Sequence, residues 1–212
     1  MFDSIAPRYE LINHLITFNL DKRWRQRAVR DLALPPLSKV LDVAAGTGDF
    51  CREIQEQGMT PFATDLSFGM MEAGGAFAPQ TQADAAHLPF TTGSFDGVTC
   101  GYALRNFTDL RTSISEMARV IRPGGRVVFL EVAEPRPGLW KWGYTVWFRG
   151  IVPLIGALLS DGKAYRYLPR STAYLPSPPE IIAMMREAGF STVQHRMIIG
   201  GLSQQFTATR AA

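Results

Sequence analysis

A short apolar run at residues 39–44 (KVLDVA) enters a turn carrying Gly46 and Gly48 and then opens into helix-forming sequence. That order limits the architecture, because a strand buried on both faces reads as a continuous apolar run and needs helices on each side. The alternation recurs down the chain. Residues 49–57 read as a helix that stops before Gly58, 60–64 as a strand ending at Asp65, and 68–73 as a short helix. A brief strand precedes Asp84, and 95–100 (FDGVTC) forms another. Over 110–121, Ile114, Met117, Ala118 and Ile121 fall at helical spacing until Pro123-Gly124-Gly125 ends the helix. Residues 126–132 (RVVFLEV) are a strongly apolar strand. Ser177-Pro178-Pro179-Glu180 has the form of a capping box with proline at the first helical position, and its helix ends near Gly189. Strands near 192–197 and 205–209 close the chain. The expectation is an α/β fold: a doubly wound, mostly parallel sheet of seven strands. Ligands bind such sheets beyond the carboxyl ends of the strands, so the residues just after each strand carry the functional argument.

With 212 residues, 46% of them hydrophobic, the chain has enough apolar side chains for one domain with a sizeable core, and disorder is excluded. Its net charge of +3 is too small to argue for nucleic acid. Cys51 and Cys100 are too few and too far apart for a disulfide framework or a zinc site, and His14, His87 and His195 lack metal-ligand spacing. The start has acids and a proline where a signal peptide needs a basic end and an apolar run. The longest uncharged apolar stretch, 150–160, is far shorter than the ~20 residues that span a bilayer. A soluble protein of a reducing compartment is the expectation. Charge is unevenly spread, however. Asp21 to Arg30 and Arg136 to Arg170 are both rich in basic residues, and the second holds Trp140, Trp142 and Trp147.

The turn Asp42-Val43-Ala44-Ala45-Gly46-Thr47-Gly48-Asp49 lets a ligand approach the backbone closely at a helix N-terminus. Alone, two glycines also fit an ordinary strand-to-helix turn. Asp65 ends the second strand 19 residues after Gly46, near the spacing at which a carboxylate accepts from ribose hydroxyls; an Asp there also suits a helix cap. A dinucleotide loop wants a third glycine where this chain has Cys51, and acidic Asp42 and Asp49 would repel a pyrophosphate but welcome a cation. S-adenosylmethionine has a sulfonium, an ammonium and no phosphate. Asp84-Ala85, after the third strand, offers a carboxylate to an adenine amino group. The set Asp42, Gly46, Gly48, Asp65 and Asp84, with Leu88-Pro89-Phe90 and Ser94-Phe95-Asp96, resembles the class I S-adenosylmethionine-dependent methyltransferases and their Rossmann-like sheet.

Longer strings narrow the resemblance. MFDSIAPRY from Met1 to Tyr9, then Asn13, Asp21 to Trp24, Leu104-Arg105-Asn106, AYRYLP from Ala164 to Pro169, and Gly200-Gly201 are together similar to the C-methyltransferases of menaquinone and ubiquinone biosynthesis. The resemblance covers nearly the whole chain. Three departures stand out. Family members usually carry a further stretch ahead of Met1, so this start is expected to be short. Gly101 replaces a small polar residue often found there, and Phe206 falls about where a His is usual.

The resemblance implies a single methyltransferase domain over 1–212, with an N-terminal lid at 1–30 and a substrate-side, membrane-facing insertion at 136–176. It also implies a cytoplasmic enzyme with peripheral contact at the inner face of the membrane, and it is compatible with a homodimer. The cofactor set is Tyr9, Asp42, Gly46, Thr47, Gly48, Asp65, Asp84, Ala85 and Gly101. Its reaction would be C-methylation of a prenylated quinol, demethylmenaquinol before a ubiquinone-pathway benzoquinol. A quinol carbon attacks most readily once a ring hydroxyl is deprotonated. Arg105 and Asn106, beyond the fourth strand, are expected to hold that phenolate, with His14 as candidate base. Their ordinary readings are a surface Arg, a helix cap and a structural His. Competing functions are a methyltransferase for another small acceptor, a membrane-surface assembly protein that keeps the fold without turnover, and a nicotinamide dehydrogenase.

Overall fold

A computed structural model of the chain describes residues 17, 19–133, 174–198 and 201–212. Strand β1 (Lys39–Val43) lies in the middle of the sheet, with β2 (Thr60–Asp65) parallel on one side and β4 (Phe95–Gly101) parallel on the other. The short β3 (Gln80–Gln82) pairs parallel with β2 at the edge. On the far side β5 (Ile121–Val132) runs parallel to β4, then β7 (Ser203–Arg210) antiparallel to β5, and β6 (Phe190–Ile198) antiparallel to β7. The strand order is therefore β3-β2-β1-β4-β5-β7-β6. After β1 the chain builds outward through β2 and β3, then returns to place β4 on β1's other flank. That reversal opens a crevice at the carboxyl ends of β1 and β4, where a ligand sits in such folds.

Helices cover both faces. Alternate residues of a strand point to opposite sides, and here Val40, Val128 and Leu130 pack with Trp24, Ala28 and Val29 of α1 (Leu20–Asp31) and with Phe50 and Ile54 of α2 (Asp49–Glu56). Their neighbours Leu41, Val43, Val127 and Phe129 pack with Ile114, Met117 and Ala118 of α4 (Leu110–Val120) and with Ile181 and Met185 of α5 (Pro178–Glu187). Three of the helices begin where a side chain satisfies the first amides. Ser67 caps α3 (Phe68–Gly74) by accepting from the Met70 amide at 3.2 Å, and Asp109 caps α4 by accepting from Thr112 at 3.0 Å. Glu180 closes the expected capping box by accepting from the Ser177 amide at 2.8 Å.

Two elements depart from the expectation. The helix ends at Val120, and β5 starts at once with Ile121 opposite Phe95, so Pro123-Gly124-Gly125 lies inside the strand. The register shift between Phe95 and Gly97 absorbs the extra residues as a bulge, which positive φ at Gly124 allows. The second departure is α1. The sequence marks its stretch as basic and as part of a lid, yet Asp21, Trp24, Arg25, Ala28 and Val29 form a buried stripe at helical spacing.

Candidate active site

A cavity of about 370 Å³ opens at the β1–β4 reversal. Its floor is the turn after β1. Gly48 has φ of +89°, and a Cβ there would stand 2.4 Å from the Phe77 ring, so only glycine fits both the turn and the packing. Gly46, with φ of +57°, donates its amide to Asp65 Oδ2 at 2.7 Å. Asp65 Oδ1 accepts from the Ser67 amide at 2.8 Å. One carboxylate thus ties the end of β2 to the glycine turn of β1 and fixes the shape of the cavity wall.

Asp42, Gly46, Thr47, Asp65, Asp84, Ala85, Gly101 and Asn106 all line this cavity. Gly48 shapes the turn beneath it. Asp84 is exposed at the rim, where its Oδ1 accepts from the Ala86 amide at 2.9 Å. Gly101 is required by its neighbour: a Cβ would stand 2.4 Å from Phe50 Cε2, and Phe50 also lines the cavity. Phe206, about where the resembled family has a His, is fully buried in β7, opposite Phe129 and stacked on His195 at 4.6 Å between ring centroids. Tyr9 and His14, the N-terminal part of the lid and almost all of the insertion at 136–176 lie outside the described residues.

The charges differ from the sequence expectation in two respects. Asp42 is almost wholly buried, with Oδ1 accepting from Thr99 Oγ1 at 2.8 Å. Burial pushes its carboxyl up to about 8; the Thr99 hydrogen bond and Arg25 oppose the rise, and Asp65 and Asp49 add to it. At neutral pH Asp42 holds a proton, so it does not give an approaching cation a full negative charge. Arg105 stands in the 3₁₀ turn Leu104–Asn106 just past β4, as expected, but it is buried and is not among the cavity-lining residues. Its Nη1 pairs with Glu131 in β5 and donates to the Tyr102 carbonyl at 2.6 Å. The fork therefore holds the turn that carries Tyr102 and Asn106 to the cavity wall.

Sequence reasoning missed Arg25, Tyr102 and Glu131. Arg25 lines the cavity from α1, its Nη2 donating to Asp21 Oδ2 at 2.7 Å and lying 3.1 Å from Asp49 Oδ2. The signal was present as an Asp21–Arg25 pair four residues apart on the stripe that also carries Trp24 and Ala28. Tyr102 lines the cavity with φ of +58°, an unfavourable backbone for a non-glycine residue. Its amide donates to the Leu130 carbonyl at 2.6 Å.

Comparison with known proteins decides the family. The family model described as the ubiE/COQ5 methyltransferase family matches residues 1–210. The chain belongs to the ubiE/COQ5 methyltransferase family. It is 42% identical to the demethylmenaquinone methyltransferase of Thermus thermophilus, over 96% of each chain. It is 39% identical to the ubiquinone/menaquinone biosynthesis C-methyltransferase UbiE of Geobacter sulfurreducens, over 99% of this chain and 87% of that protein. Among solved structures, a Haloferax volcanii methyltransferase in complex with the Trm112 activator superposes with a TM-score of 0.71 at 15% identity, over 100% of this chain and 98% of that one. Phosphoethanolamine N-methyltransferase 2 of Haemonchus contortus, solved with S-adenosyl-L-methionine, gives 0.66 at 14% identity, over 90% of this chain and 53% of that one. At such identities the structures bear on the fold alone. A ubiE/COQ5 family member is an S-adenosylmethionine-dependent methyltransferase, and the dehydrogenase reading is set aside.

Proposed function

We propose that this family member methylates a ring carbon of a prenylated quinol, with demethylmenaquinol as preferred acceptor and menaquinol as product. The observation that carries the reading is the 42% identity with a demethylmenaquinone methyltransferase, which extends over 96% of each chain.

The cavity suits the donor. Asp65 presents a carboxylate at the ribose-binding end of β2, Asp84 and Ala85 border the place for the base, and Gly46 and Thr47 let the backbone approach the ligand. When bound, S-adenosylmethionine supplies an electrophilic methyl group on a sulfonium. The protein's part is to bring the acceptor carbon into line with it and keep water away, since positioning supplies much of the rate in such displacements. Asn106 is a polar side chain of the acceptor wall, beside Tyr102 and Thr108, with Phe107 and Ala103 giving apolar surface for a ring. We assign Asn106 to the quinol oxygen, as a donor that stabilises developing phenolate charge. Arg105 acts behind it, holding the turn through Glu131 and Tyr102.

Membrane contact belongs to the same reading. Lys22, Arg23, Arg27 and Arg30 are exposed along the outward side of α1. Four cations on one helix face support weak, salt-sensitive attraction to anionic lipid, the phase in which a polyprenyl quinol resides. Among the described residues no helix is long and apolar enough to cross a membrane.

Offering the enzyme an equimolar mixture of reduced demethylmenaquinone and the reduced ubiquinone-pathway precursor tests the acceptor. Product masses should show the naphthoquinol methylated first. Preference for the benzoquinol would move the enzyme to the ubiquinone branch, and methylation of neither would refute the quinol reading.

A further inference from the structure

Arg25 is the one basic side chain among the described residues that line the cavity, against Asp42, Asp49, Asp65 and Asp84. It is 7% exposed. Asp21 and Asp49 hold its Nη2, while its buried Nε–H has no acceptor among the described residues. Burial works against the guanidinium's charge, but Asp49 and Asp21 outweigh it and keep the pKa above its ordinary value. A buried, charged guanidinium that lines a ligand cavity with donors its two aspartates leave over calls for an acceptor from the ligand.

The ligand's own charges say which group that is. S-adenosylmethionine has one anionic group, the carboxylate of its methionyl part. Placed against Asp49, Asp65 or Asp84 it would be repelled, and the protonated Asp42 gives it no counter-charge. Asp65 and Asp84 follow β2 and β3, on one side of β1, and suit the neutral ribose and base. Arg25 and Asp49 are ion-paired at the start of α2, beside the glycine turn. The methionyl end therefore falls toward α1, and its two charges find their opposites there.

We propose that Arg25 binds the cofactor's methionyl carboxylate through the guanidinium donors that Asp21 and Asp49 leave over, with those two aspartates holding the fork in place. This rests on S-adenosylmethionine occupying the cavity. Arg25 is then a cofactor-binding residue contributed by the N-terminal helix, so α1 reports on the cofactor as well as covering the sheet.

The test is calorimetry with three nucleosides: S-adenosylhomocysteine, its decarboxylated analogue, and 5′-methylthioadenosine, which lacks the whole amino-acid end. The wild-type chain should bind the decarboxylated analogue about 10- to 100-fold more weakly than S-adenosylhomocysteine, the scale of losing hydrogen bonds between charged groups. Arg25→Met should lose affinity for S-adenosylhomocysteine by a similar factor and leave 5′-methylthioadenosine within about twofold. Arg25→Lys keeps a cation between Asp21 and Asp49 but lacks the fork, so its loss should be intermediate. This variant and the wild-type analogue comparison decide the matter if Arg25→Met does not fold. Equal binding of S-adenosylhomocysteine and its decarboxylated analogue by the wild type overturns the assignment. So does a parallel loss of S-adenosylhomocysteine and 5′-methylthioadenosine in the variants, which would make Arg25 a fold residue. A wild-type chain that binds none of the three refutes the cofactor site itself, an outcome distinct from either.

Discussion

The guanidinium of Arg105 pairs with the carboxylate of Glu131, and both side chains are withdrawn from solvent. Glu131 also accepts from the Val132 amide at 2.8 Å, and the same Arg105 Nη1 donates to the Tyr102 carbonyl. The turn that follows β4 and the end of the adjacent β5 thus share one ion pair on the side that faces the site.

Removing one partner of such a pair leaves the other charge buried alone. Arg105→Ala should destabilise the fold by about 3–5 kcal/mol, measured by urea unfolding. The double variant Arg105→Ala/Glu131→Gln should lose less than the two single losses added together. Turnover should fall with the Tyr102–Asn106 turn displaced. Arg105→Ala of unchanged stability would show that the pair does not hold this turn.

Asp65 ends β2 with one oxygen on the Gly46 amide. Asp65→Ala removes that tie together with the proposed ribose contact. Affinity for S-adenosylhomocysteine should drop by about 1–3 kcal/mol, the scale of hydrogen bonds to a charged group. Calorimetry that finds the affinity unchanged in a folded variant would remove Asp65 from the site.

The strands were legible because burial on both faces makes them apolar runs, and the glycine turn with its following acids located the cofactor side of the site. What escaped the sequence depends on long-range partners. Nothing near Arg105 announces that Glu131, across the sheet, turns its fork inward. Nothing in the string from Asp21 to Arg30 separates Arg25, which faces the cavity, from Arg23 and Arg27, which face solvent, until the buried stripe is recognised. The start of β5 escaped for a different reason. Pro-Gly-Gly stops a helix, but a bulged strand tolerates it too.

Asp42 carries the pH dependence. Its folded carboxyl sits at about 8 against 3.8 for the ordinary value, so the folded chain binds the extra proton between those limits. Its contribution to stability is therefore lost as pH rises through that window, by at most about 1.4 kcal/mol per pH unit. Asp42→Asn, close in shape to the protonated acid, should be near wild type in stability at pH 5. It should become the more stable of the two by pH 9. Denaturation curves that stay parallel from pH 5 to 9 would mean that Asp42 is ionised throughout.

Gly101 gives a packing prediction. Its Cβ would meet Phe50, which is itself buried. Gly101→Ala should cost about 1–3 kcal/mol by overpacking and should weaken nucleoside binding as the ring is pushed into the cavity. Thermal unfolding and calorimetry check both. A variant that matches wild type in each would show that Phe50 swings clear without cost.

Methyl transfer to a quinol carbon is read out by mass spectrometry after incubation with methyl-deuterated S-adenosylmethionine. With reduced demethylmenaquinone the quinone product should carry one trideuteromethyl group on a ring carbon, with one S-adenosylhomocysteine released for each product formed. The oxidised quinone, an electrophile, should remain unlabelled. Label on oxygen, or labelling of the oxidised quinone as fast as of the quinol, would show that a quinol ring carbon is not the nucleophile.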